Sequence, residues 1–480
     1  MSKDVDYSDG KLADAEALVQ GVDTGDDLDQ HPGHGAPASE VSQSPLWKKL
    51  IWEGGFPLDG FLTAASAQVI LNLPNSMAKL SLVGGIFTQV GCAAFAVYTL
   101  FLLVALYHEY KRDEVRKGTW YNNGGKTRTR VTQYHSIITN VTGLRWLGEF
   151  ARIVNIVELV GLGVAQIIAS ASNFYSLGTG LSKRDYTFIF GALALLTTLI
   201  PSFRNMRLFS LLALIGTTYT SWYMMAESWK HGLNAAAATQ PPLGLDAFFQ
   251  GFSNIVFTFG GHCMIMELVD SQFRPSKFSK TFATALTYVT LTLTLPNALF
   301  TFLAFPAEAA VKGNAFAIFP PSAAKNVGIV LMVAHQLVAF ALFLLPVSIM
   351  WEKLVGTHYK ALRWRLSSRI PVGLFVWFIA LMLPFFGVIN DLLGAFAVTF
   401  ETYIIPCVAW SLYYRTQERR DNAILKPPRW LGGWTGAFIL NAFITLSMAV
   451  AGLGFGGYSS VVGLIDAVSS FGLFAKCYNC

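Results

Sequence analysis

The chain has 480 residues, of which 53% are hydrophobic and only 13% charged, and its mean hydropathy is +0.46. This balance excludes an ordinary soluble domain and is typical of a protein embedded in lipid. The formal charge of +6 does not indicate nucleic-acid binding, because the Lys and Arg residues fall in short segments between apolar runs.

The chain begins with a long polar segment. Residues 1–45 are rich in Asp, Gly, Ser and Pro and have no apolar periodicity. Such a segment buries too little apolar surface to offset its ordering entropy, so we predict a disordered cytoplasmic tail. Residues 46–57, which contain two Trp residues, follow as a juxtamembrane segment.

Eleven apolar runs are then long enough to cross a bilayer, which takes about 20 helical residues. They cover 58–80, 83–107, 149–175, 186–202, 207–228, 246–270, 280–305, 326–351, 371–390, 392–414 and 432–456. We place the turn between the ninth and tenth spans at Asn390–Asp391. The predicted fold class is an all-α membrane protein with eleven transmembrane helices.

The distribution of basic residues predicts the orientation of these spans. With the N-terminus in the cytoplasm, most Lys and Arg residues lie in inner loops, and the outer loops keep Lys183, Arg184, Lys230, Lys312, Lys325 and Lys476. An odd number of spans then places the C-terminus outside. The sequon at Asn140 falls in an inner loop, so we expect it to be unmodified. Cys477 and Cys480 then lie outside. The sequence leaves two alternatives for them, a disulfide bond or two reduced thiols.

The first span contains a polar interruption. It reads AQVILNLPNSMAKL over 67–80, which places four disruptive residues together: Asn72, Pro74, Asn75 and Ser76. Proline removes a helical hydrogen bond and clashes with the preceding turn, so we expect the helix to open near Leu73–Pro74. A simple kink, satisfied by neighbouring helices, is the alternative.

The sixth span, Asp246–Asp270, has a second interruption near its middle. Gly260, Gly261 and His262 follow one another there. Glycine costs about 1 kcal/mol relative to alanine in a helix interior. A titratable ring at this depth requires a partner or a wet cavity. We therefore expect a second broken helix.

The two interruptions have matching positions, since each lies about fifteen residues into its span, and the spans are the first of two sets of five. Paired breaks of this kind indicate two inverted repeats with a binding site at the membrane midplane. Each break exposes backbone N–H groups at the start of a half-helix, near Asn75–Ser76 and near His262–Cys263. The partial positive charge of these N–H groups favours binding of a carboxylate.

From Gly54 to Cys480 the chain resembles the auxin influx carriers of the amino acid/auxin permease family, within the amino acid–polyamine–organocation group. The resemblance rests on AQVILNLP (67–74), ASNFY (171–175), IPSFRN (200–205), TTYTSWY (217–223), TFGGH (258–262), HQLVAF (335–340), PFFGVIN (384–390), YIIP (403–406), GFGGY (454–458) and FGLFAKCYNC (471–480). The last segment and TFGGH are specific to this subfamily.

The resemblance implies two inverted five-helix repeats, as in LeuT, plus an eleventh helix. It further implies a plasma-membrane symporter that imports the indole-3-acetic acid anion with protons, and that acts as a monomer without a resident cofactor. Residues 58–456 are then the transporter domain and 457–480 an extracellular tail. The family's pocket lies between helices one, three, six and eight, with a histidine that matches His262 at its centre.

Four positions depart from the family pattern. Asn75 stands where a Tyr is common and Met77 where a Phe is common, and Glu158 and Glu401 stand where the plant members are apolar. These differences affect the predicted range of substrates more than the predicted transport mechanism.

The predicted substrate-binding residues come from the two breaks and from polar positions on helices three and eight. They are His262, Gly260, Gly261, Thr258, Phe259, Asn72, Pro74, Asn75, Ser76, Gln166 and Gln336. Interhelical hydrogen bonds are the alternative role for the two glutamines, and a satisfied core residue is the alternative for His262.

Four residues are predicted candidates for proton coupling. Histidine titrates near neutral pH, which favours His262. Intramembrane carboxylates are costly unless they pair, face the bundle interior or carry a proton, which adds Glu267, Glu158 and Glu401. The sequence does not decide among these four.

The leading functional hypothesis competes with others. A proton-coupled permease for neutral or aromatic amino acids differs from it by one group, the α-ammonium of the substrate. A receptor that does not transport is the second alternative, although neither the N-terminal tail nor the loop over 108–148 contains a signalling motif. An enzyme is not indicated, because no nucleophile–base pair or metal-ligand spacing is present.

Overall fold

The computed structural model describes residues 57–66, 69–122, 127–128, 132–178, 180–200, 206–272, 275–476 and 478. The predicted tail over 1–45, nearly all of the juxtamembrane segment, and the two C-terminal cysteines lie outside these residues.

The described chain is almost entirely helical. The helices up to the second break are α1 (Pro57–Ser66), α2 (Leu73–Arg116), α3 (Tyr134–Thr142), α4 (Arg145–Tyr175), α5 (Lys183–Thr197), α6 (Arg207–His231), α7 (Leu245–Thr258) and α8 (His262–Ser271). The others are α9 (Phe278–Tyr288), α10 (Leu295–Ala304), α11 (Pro306–Val311), α12 (Ala323–Leu354), α13 (Leu362–Met382), α14 (Phe386–Leu393), α15 (Ile405–Tyr413), α16 (Gln417–Asp421), α17 (Gly433–Ser447) and α18 (Gly457–Phe471).

Wider π-helical turns join three pairs of these helices into continuous rods. They are Val289–Thr294 between α9 and α10, Gly394–Ile404 between α14 and α15, and Met448–Gly456 between α17 and α18. The last rod reaches Phe471, so the helix continues beyond residue 456, where we placed the start of the extracellular tail.

A very short antiparallel ladder follows α2. It pairs Tyr121–Asn122 with Thr127–Arg128. Two residues per strand do not change the fold class, which is all-α as the sequence predicts.

Eight helical segments of the described chain are long and apolar enough to cross a membrane. The first predicted span is divided between α1, only ten residues long, and the start of α2, which turns at Ser81 (φ 70°, ψ 170°) into the second span. The fourth predicted span corresponds to α5, which has fifteen described residues. The count of eleven therefore remains a prediction, whereas the membrane fold does not depend on it.

The boundary that we predicted between the ninth and tenth spans is wrong by several residues. Helix α13 ends at Met382 and α14 begins at Phe386, so Asn390 and Asp391 lie within the tenth span. The physical cause is Pro384, because a residue before proline is disfavoured in the helical conformation. Leu383 is accordingly non-helical, with φ −122° and ψ 76°.

The helices bury an apolar core and also present large apolar side chains on the outside of the bundle. Helix α12 packs against α4 and α6, and α7 packs against α2. Large apolar side chains on α6, α13 and α17 point outward, including Leu212, Phe375, Phe378 and Ile439. An outer surface of this kind is suited to contact with lipid. The polar groups of the two breaks lie inside the bundle.

Candidate functional site

The first break separates α1 from α2. Helix α1 ends at Ser66, residues 69–70 have no regular structure, and Pro74 stands in the first turn of α2. Proline is well tolerated there, because its missing N–H would have no helical partner in any case. Pro74 thus begins the second half-helix, and the chain opens before it.

Neighbouring segments hold the open chain in place. The side chain of Asn297 donates to the carbonyl of Ile70 (3.2 Å), and the backbone N–H of Ala315 donates to the carbonyl of Leu71 (2.9 Å). Asn75 donates to the carbonyl of Ala309 (2.7 Å), on α11. Ser76 bonds to the carbonyl of Asn72 (3.3 Å). These contacts make Asn75 and Ser76 anchors of the break.

The second break separates α7 from α8. Gly261 has φ +156° and ψ −1°, a conformation that favours glycine. Gly260 lies against the tenth span, since a Cβ added there would be 2.7 Å from Cγ1 of Val398. A new helix, α8, therefore begins at His262 inside the bundle. Its first backbone N–H groups have no partner within the helix. Both breaks that the sequence predicts are confirmed.

A small central cavity lies beside the first break. Its volume is only about 10 Å³, which is room for about one water molecule. Its lining comes from the first break, α4, α12 and α14: Val69, Ile70, Leu71, Ala165, Gln166, Ala169, Met332, His335, Gln336, Phe386 and Asn390. None of these lining residues is acidic.

The polar groups of this region are unevenly satisfied. Gln336 Oε1 accepts from Ser170 Oγ (3.0 Å), and His335 Nδ1 lies 3.0 Å from Thr217 Oγ1. In contrast, both side-chain amide atoms of Asn390 and of Asn72 are buried without a hydrogen-bond partner in the described chain. An unpaired buried polar atom costs about 1–3 kcal/mol, so a ligand or water that bonded these amides would be stabilised here.

Asn390 and His335 were not among the predicted binding residues. The misplaced turn put Asn390 in a loop, although its presence in an otherwise apolar run was a usable signal. His335 adjoins the predicted Gln336, and only the packing of α12 shows that both line the cavity.

A much larger vestibule opens above the central cavity, at the end of the spans that the charge distribution assigns to the exterior. Its volume is about 860 Å³, and its polar lining includes Asn75, Lys79, Lys183, Gln250, Lys312, Lys325, Asp391 and Asp466. Phe386 lines both the vestibule and the central cavity. Phe386 is therefore the residue at which the two cavities adjoin.

The predicted binding residues of the sixth span face elsewhere. His262 is fully buried, with Nε2 3.1 Å from Thr99 Oγ1 and its ring edge-on to Phe282. Its Nδ1 has no partner in the described chain. Thr258 bonds back to the carbonyl of Asn254 (3.0 Å), and Phe259 is buried. The structure thus brings Gln166 and Gln336 to the central cavity, whereas these three residues do not line it.

Three of the candidate proton-coupling residues lie close together on another side of α8. Glu158 on α4 and Glu401 on the tenth span are side-chain neighbours, and both are fully buried. Glu267, on α8, acts electrostatically on Glu401 and is 2% exposed. His262 is separated from this group by its orientation towards Thr99.

Ion pairs hold the opposite ends of the helices, which the charge distribution predicts to be cytoplasmic. Asp59 at the start of α1 makes a two-pronged pair with Arg207 at the start of α6. Glu352, near the end of α12, pairs with Arg369 (2.7 Å), Arg365 (3.0 Å) and His358 (2.9 Å). The large cavity and the ion pairs thus lie at opposite ends of the bundle.

No group of three or more His, Cys, Asp or Glu side chains in the described ranges has the arrangement of a metal site. The chemistry of the central region is therefore hydrogen bonding by amides, imidazole and backbone N–H groups. Such a set of groups can bind and orient a carboxylate, but it includes no activated nucleophile.

Comparison with known proteins gives a consistent result. The family described as transmembrane amino acid transporter protein matches residues 60–451. Auxin transporter-like protein 3 of Oryza sativa subsp. japonica is 38% identical over 435 residues, which cover 90% of this chain and 78% of that protein. Auxin transporter protein 1 of Arabidopsis thaliana is 37% identical over 466 residues, which cover 96% and 93%.

Solved structures are similar in fold at low sequence identity. MhsT in complex with L-phenylalanine has a TM-score of 0.57 at 9% identity and covers 82% of this chain and 98% of its own. A Na⁺-coupled sialic acid symporter in a substrate-bound outward-open state has a TM-score of 0.51 at 12% identity, with coverage of 94% and 96%. The fold is LeuT-like, as predicted.

Proposed function

We infer the function of this chain from its family, because it belongs to the transmembrane amino acid transporter proteins. It is a secondary transporter and not an enzyme. The proposed substrate is the anion of indole-3-acetic acid, imported together with protons across the plasma membrane by alternating access. The auxin transporters among its relatives support this substrate.

The observation that carries the proposal is the set of unpaired amides beside the first break. Asn72 and Asn390 each have two buried side-chain atoms without a partner, and Gln166 and Gln336 line the same region. Amide N–H groups suit the substrate carboxylate, and amide oxygens suit the indole N–H. The cavity must expand to admit a substrate, since about 10 Å³ holds no more than about one water.

The same region is poorly suited to the ammonium group of an amino acid. No acidic side chain lines the central cavity. The carbonyls of Ile70 and Leu71 each already accept one hydrogen bond, from Asn297 and Ala315, so an ammonium group would find only neutral, partly used acceptors and no negative charge to balance its own. An anion without an ammonium group is therefore the better match, and this favours auxin over the amino acid alternative.

The two cavities support alternating access. The outer vestibule is open down to Phe386, whereas the pair of Asp59 and Arg207 ties α1 to α6 on the inner side. Transport would require Phe386 to move aside, the central cavity to fill, and the inner pair to separate. A cytoplasmic N-terminus and an extracellular C-terminus belong to the same proposal, as does a monomeric carrier in the bilayer.

Proton coupling follows from the energetics of the proposed substrate. A membrane potential of about 100 mV, negative inside, opposes import of one anion by about 2.3 kcal/mol. Each co-imported proton recovers that amount, and a pH difference of two units adds about 2.7 kcal/mol per proton. One proton per anion therefore cancels the electrical cost and leaves about 2.7 kcal/mol to drive accumulation, and each further proton adds to this driving force.

Radiolabelled uptake tests the proposal. The full chain is expressed in cells without an endogenous auxin carrier, and labelled indole-3-acetic acid is supplied at acidic external pH with tryptophan as competitor. We expect uptake that a protonophore abolishes and that excess tryptophan leaves nearly unchanged. Equal competition by tryptophan would reject the auxin function in favour of an amino acid permease, and binding without uptake would indicate a receptor.

A further inference from the structure

Two buried glutamates on different helices make contact in the interior of the bundle. Glu158 lies on α4 and Glu401 on the π-helical turn of the tenth span, and neither is exposed. Asn155 Nδ2 donates both to Glu401 Oε1 and to the carbonyl of Cys263 on α8 (2.9 Å). Tyr134 OH donates to the backbone carbonyl of Glu401 (2.8 Å).

The remaining carboxyl oxygens have no ordinary donor. Within the described chain, no N–H or O–H group donates to either oxygen of Glu158 or to Oε2 of Glu401. The side-chain partners of the Glu158 carboxyl group are instead the thiol of Cys263 and the carboxyl group of Glu401. A carboxylate has no hydrogen to donate, so a hydrogen bond between two carboxyl groups requires that one of them carries a proton.

Within the described chain, no Lys, Arg or His side chain acts on this pair. The titratable groups that interact with it come from α3, α8 and the tenth span: Tyr134, Cys263, Glu267 and Tyr403. All of these are neutral or acidic side chains. Two adjacent ionised carboxylates are strongly unfavourable in a dry interior. The pair therefore holds at least one proton.

Glu267 extends the pair towards the cytoplasm. Its side chain is only 2% exposed and interacts with the side chain of Gln133. Besides Glu401, it interacts electrostatically with Lys353 and Asp270, near the inner ends of their helices. This buried carboxyl group therefore interacts both with the pair and with residues at the inner helix ends.

We propose that Glu158 and Glu401 form the exchangeable proton carrier of this protein, and that Asn155 links their protonation to the position of α8. The proposal rests on the proton-coupled function given above. Loading forms one O–H bond on a carboxylate oxygen, with a proton from external water. Release breaks that bond and transfers the proton, through Glu267, to cytoplasmic water.

The position of α8 explains how substrate and proton can be coupled. The first residue of α8, His262, belongs to the break, and the next, Cys263, is held through its carbonyl by Asn155. Asn155 holds Glu401 at the same time. A movement of the α8 N-terminus on substrate binding therefore changes the surroundings of the carboxyl pair directly.

The test compares Glu158→Gln and Glu401→Gln with the wild-type protein in proteoliposomes. Glutamine retains the shape and hydrogen bonding of a protonated carboxyl group but cannot release a proton. We expect both variants to lose accumulation of labelled indole-3-acetic acid driven by an imposed pH gradient. Both should retain exchange of labelled for unlabelled substrate at equal pH, because exchange requires no net proton movement.

Glu149→Gln is the matched control, since Glu149 is an exposed carboxylate on the same helix. It should accumulate substrate like the wild type. If Glu158→Gln is poorly folded by size-exclusion chromatography, Glu401→Gln decides the matter alone.

Gradient-driven accumulation that persists in the glutamine variants overturns the carrier assignment, and so does loss of exchange together with accumulation. Absence of exchange in the wild-type protein would instead reject the proposed function. The two failures are thus distinguished by the wild-type exchange measurement.

Discussion

The contact between the second break and the tenth span gives a quantitative prediction. In the variant Gly260→Ala, the new Cβ would lie 2.7 and 2.8 Å from the two methyl groups of Val398. Real Cβ atoms do not approach carbon so closely, so either the break or the tenth span must shift. Overpacking of this kind costs about 1–3 kcal/mol, which corresponds to a factor of about 5 to 150 in an equilibrium constant.

The expected result is a loss of thermal stability together with weaker uptake of indole-3-acetic acid. The double variant Gly260→Ala/Val398→Ala removes the two methyl groups and should recover most of both. Thermal unfolding of the purified protein and initial rates of labelled uptake measure the two effects.

Gly261→Ala serves as a comparison, because a Cβ there meets nothing within 4 Å but has to adopt φ +156°. Its defect should therefore persist when Val398 is shortened. Two results would contradict the close packing of the break against the tenth span. One is that Val398→Ala fails to rescue Gly260→Ala, and the other is that Gly260→Ala has the thermal stability and uptake of the wild type.

Two further variants examine the polar groups of the site. Asn390→Leu removes two buried unpaired amide atoms, so it should abolish uptake while leaving thermal stability equal or higher; retained uptake would show that Asn390 does not contact the substrate. His262→Ala should abolish or greatly weaken uptake with normal surface expression, since it removes the ring that bonds Thr99 at the start of α8. Unchanged uptake with unchanged pH dependence would exclude His262 from both binding and coupling.

The breaks could be predicted from the sequence because their causes are local. Proline lacks a backbone N–H and glycine lacks a Cβ, so Pro74 and Gly261 disfavour a continuous helix whatever surrounds them. Their matching positions in the two halves then indicated an inverted repeat. The LeuT-like fold bears this inference out.

The sequence could not predict which way the side chains of the short helix α8 face. His262 and Cys263 are adjacent, yet one contacts Thr99 and the other adjoins Glu158. That difference depends on the rotation of α8 against its neighbours, which no local pattern encodes. The pairing of Asp59 with Arg207 was missed for a similar reason, because the two are 148 residues apart.

The tenth span shows a different kind of error. Asn390–Asp391 was interpreted as a turn because polar residues interrupt an apolar run, but the break is at Pro384 and the asparagine is inside the helix. Asn254 donates to Asp391 (2.9 Å), so the aspartate has a partner within the bundle. Polar residues in membrane spans indicate a site as often as a boundary when they face other helices.

The central claim is that the amides beside the first break receive a carboxylate anion that lacks an ammonium group. Its most direct test is binding of indole-3-acetic acid and of tryptophan to the purified protein by isothermal titration calorimetry, with Asn390→Leu as the control. We expect that indole-3-acetic acid binds, that tryptophan does not compete at similar concentrations, and that the variant binds neither. Equal binding of tryptophan, or unchanged binding of indole-3-acetic acid to the variant, would contradict it.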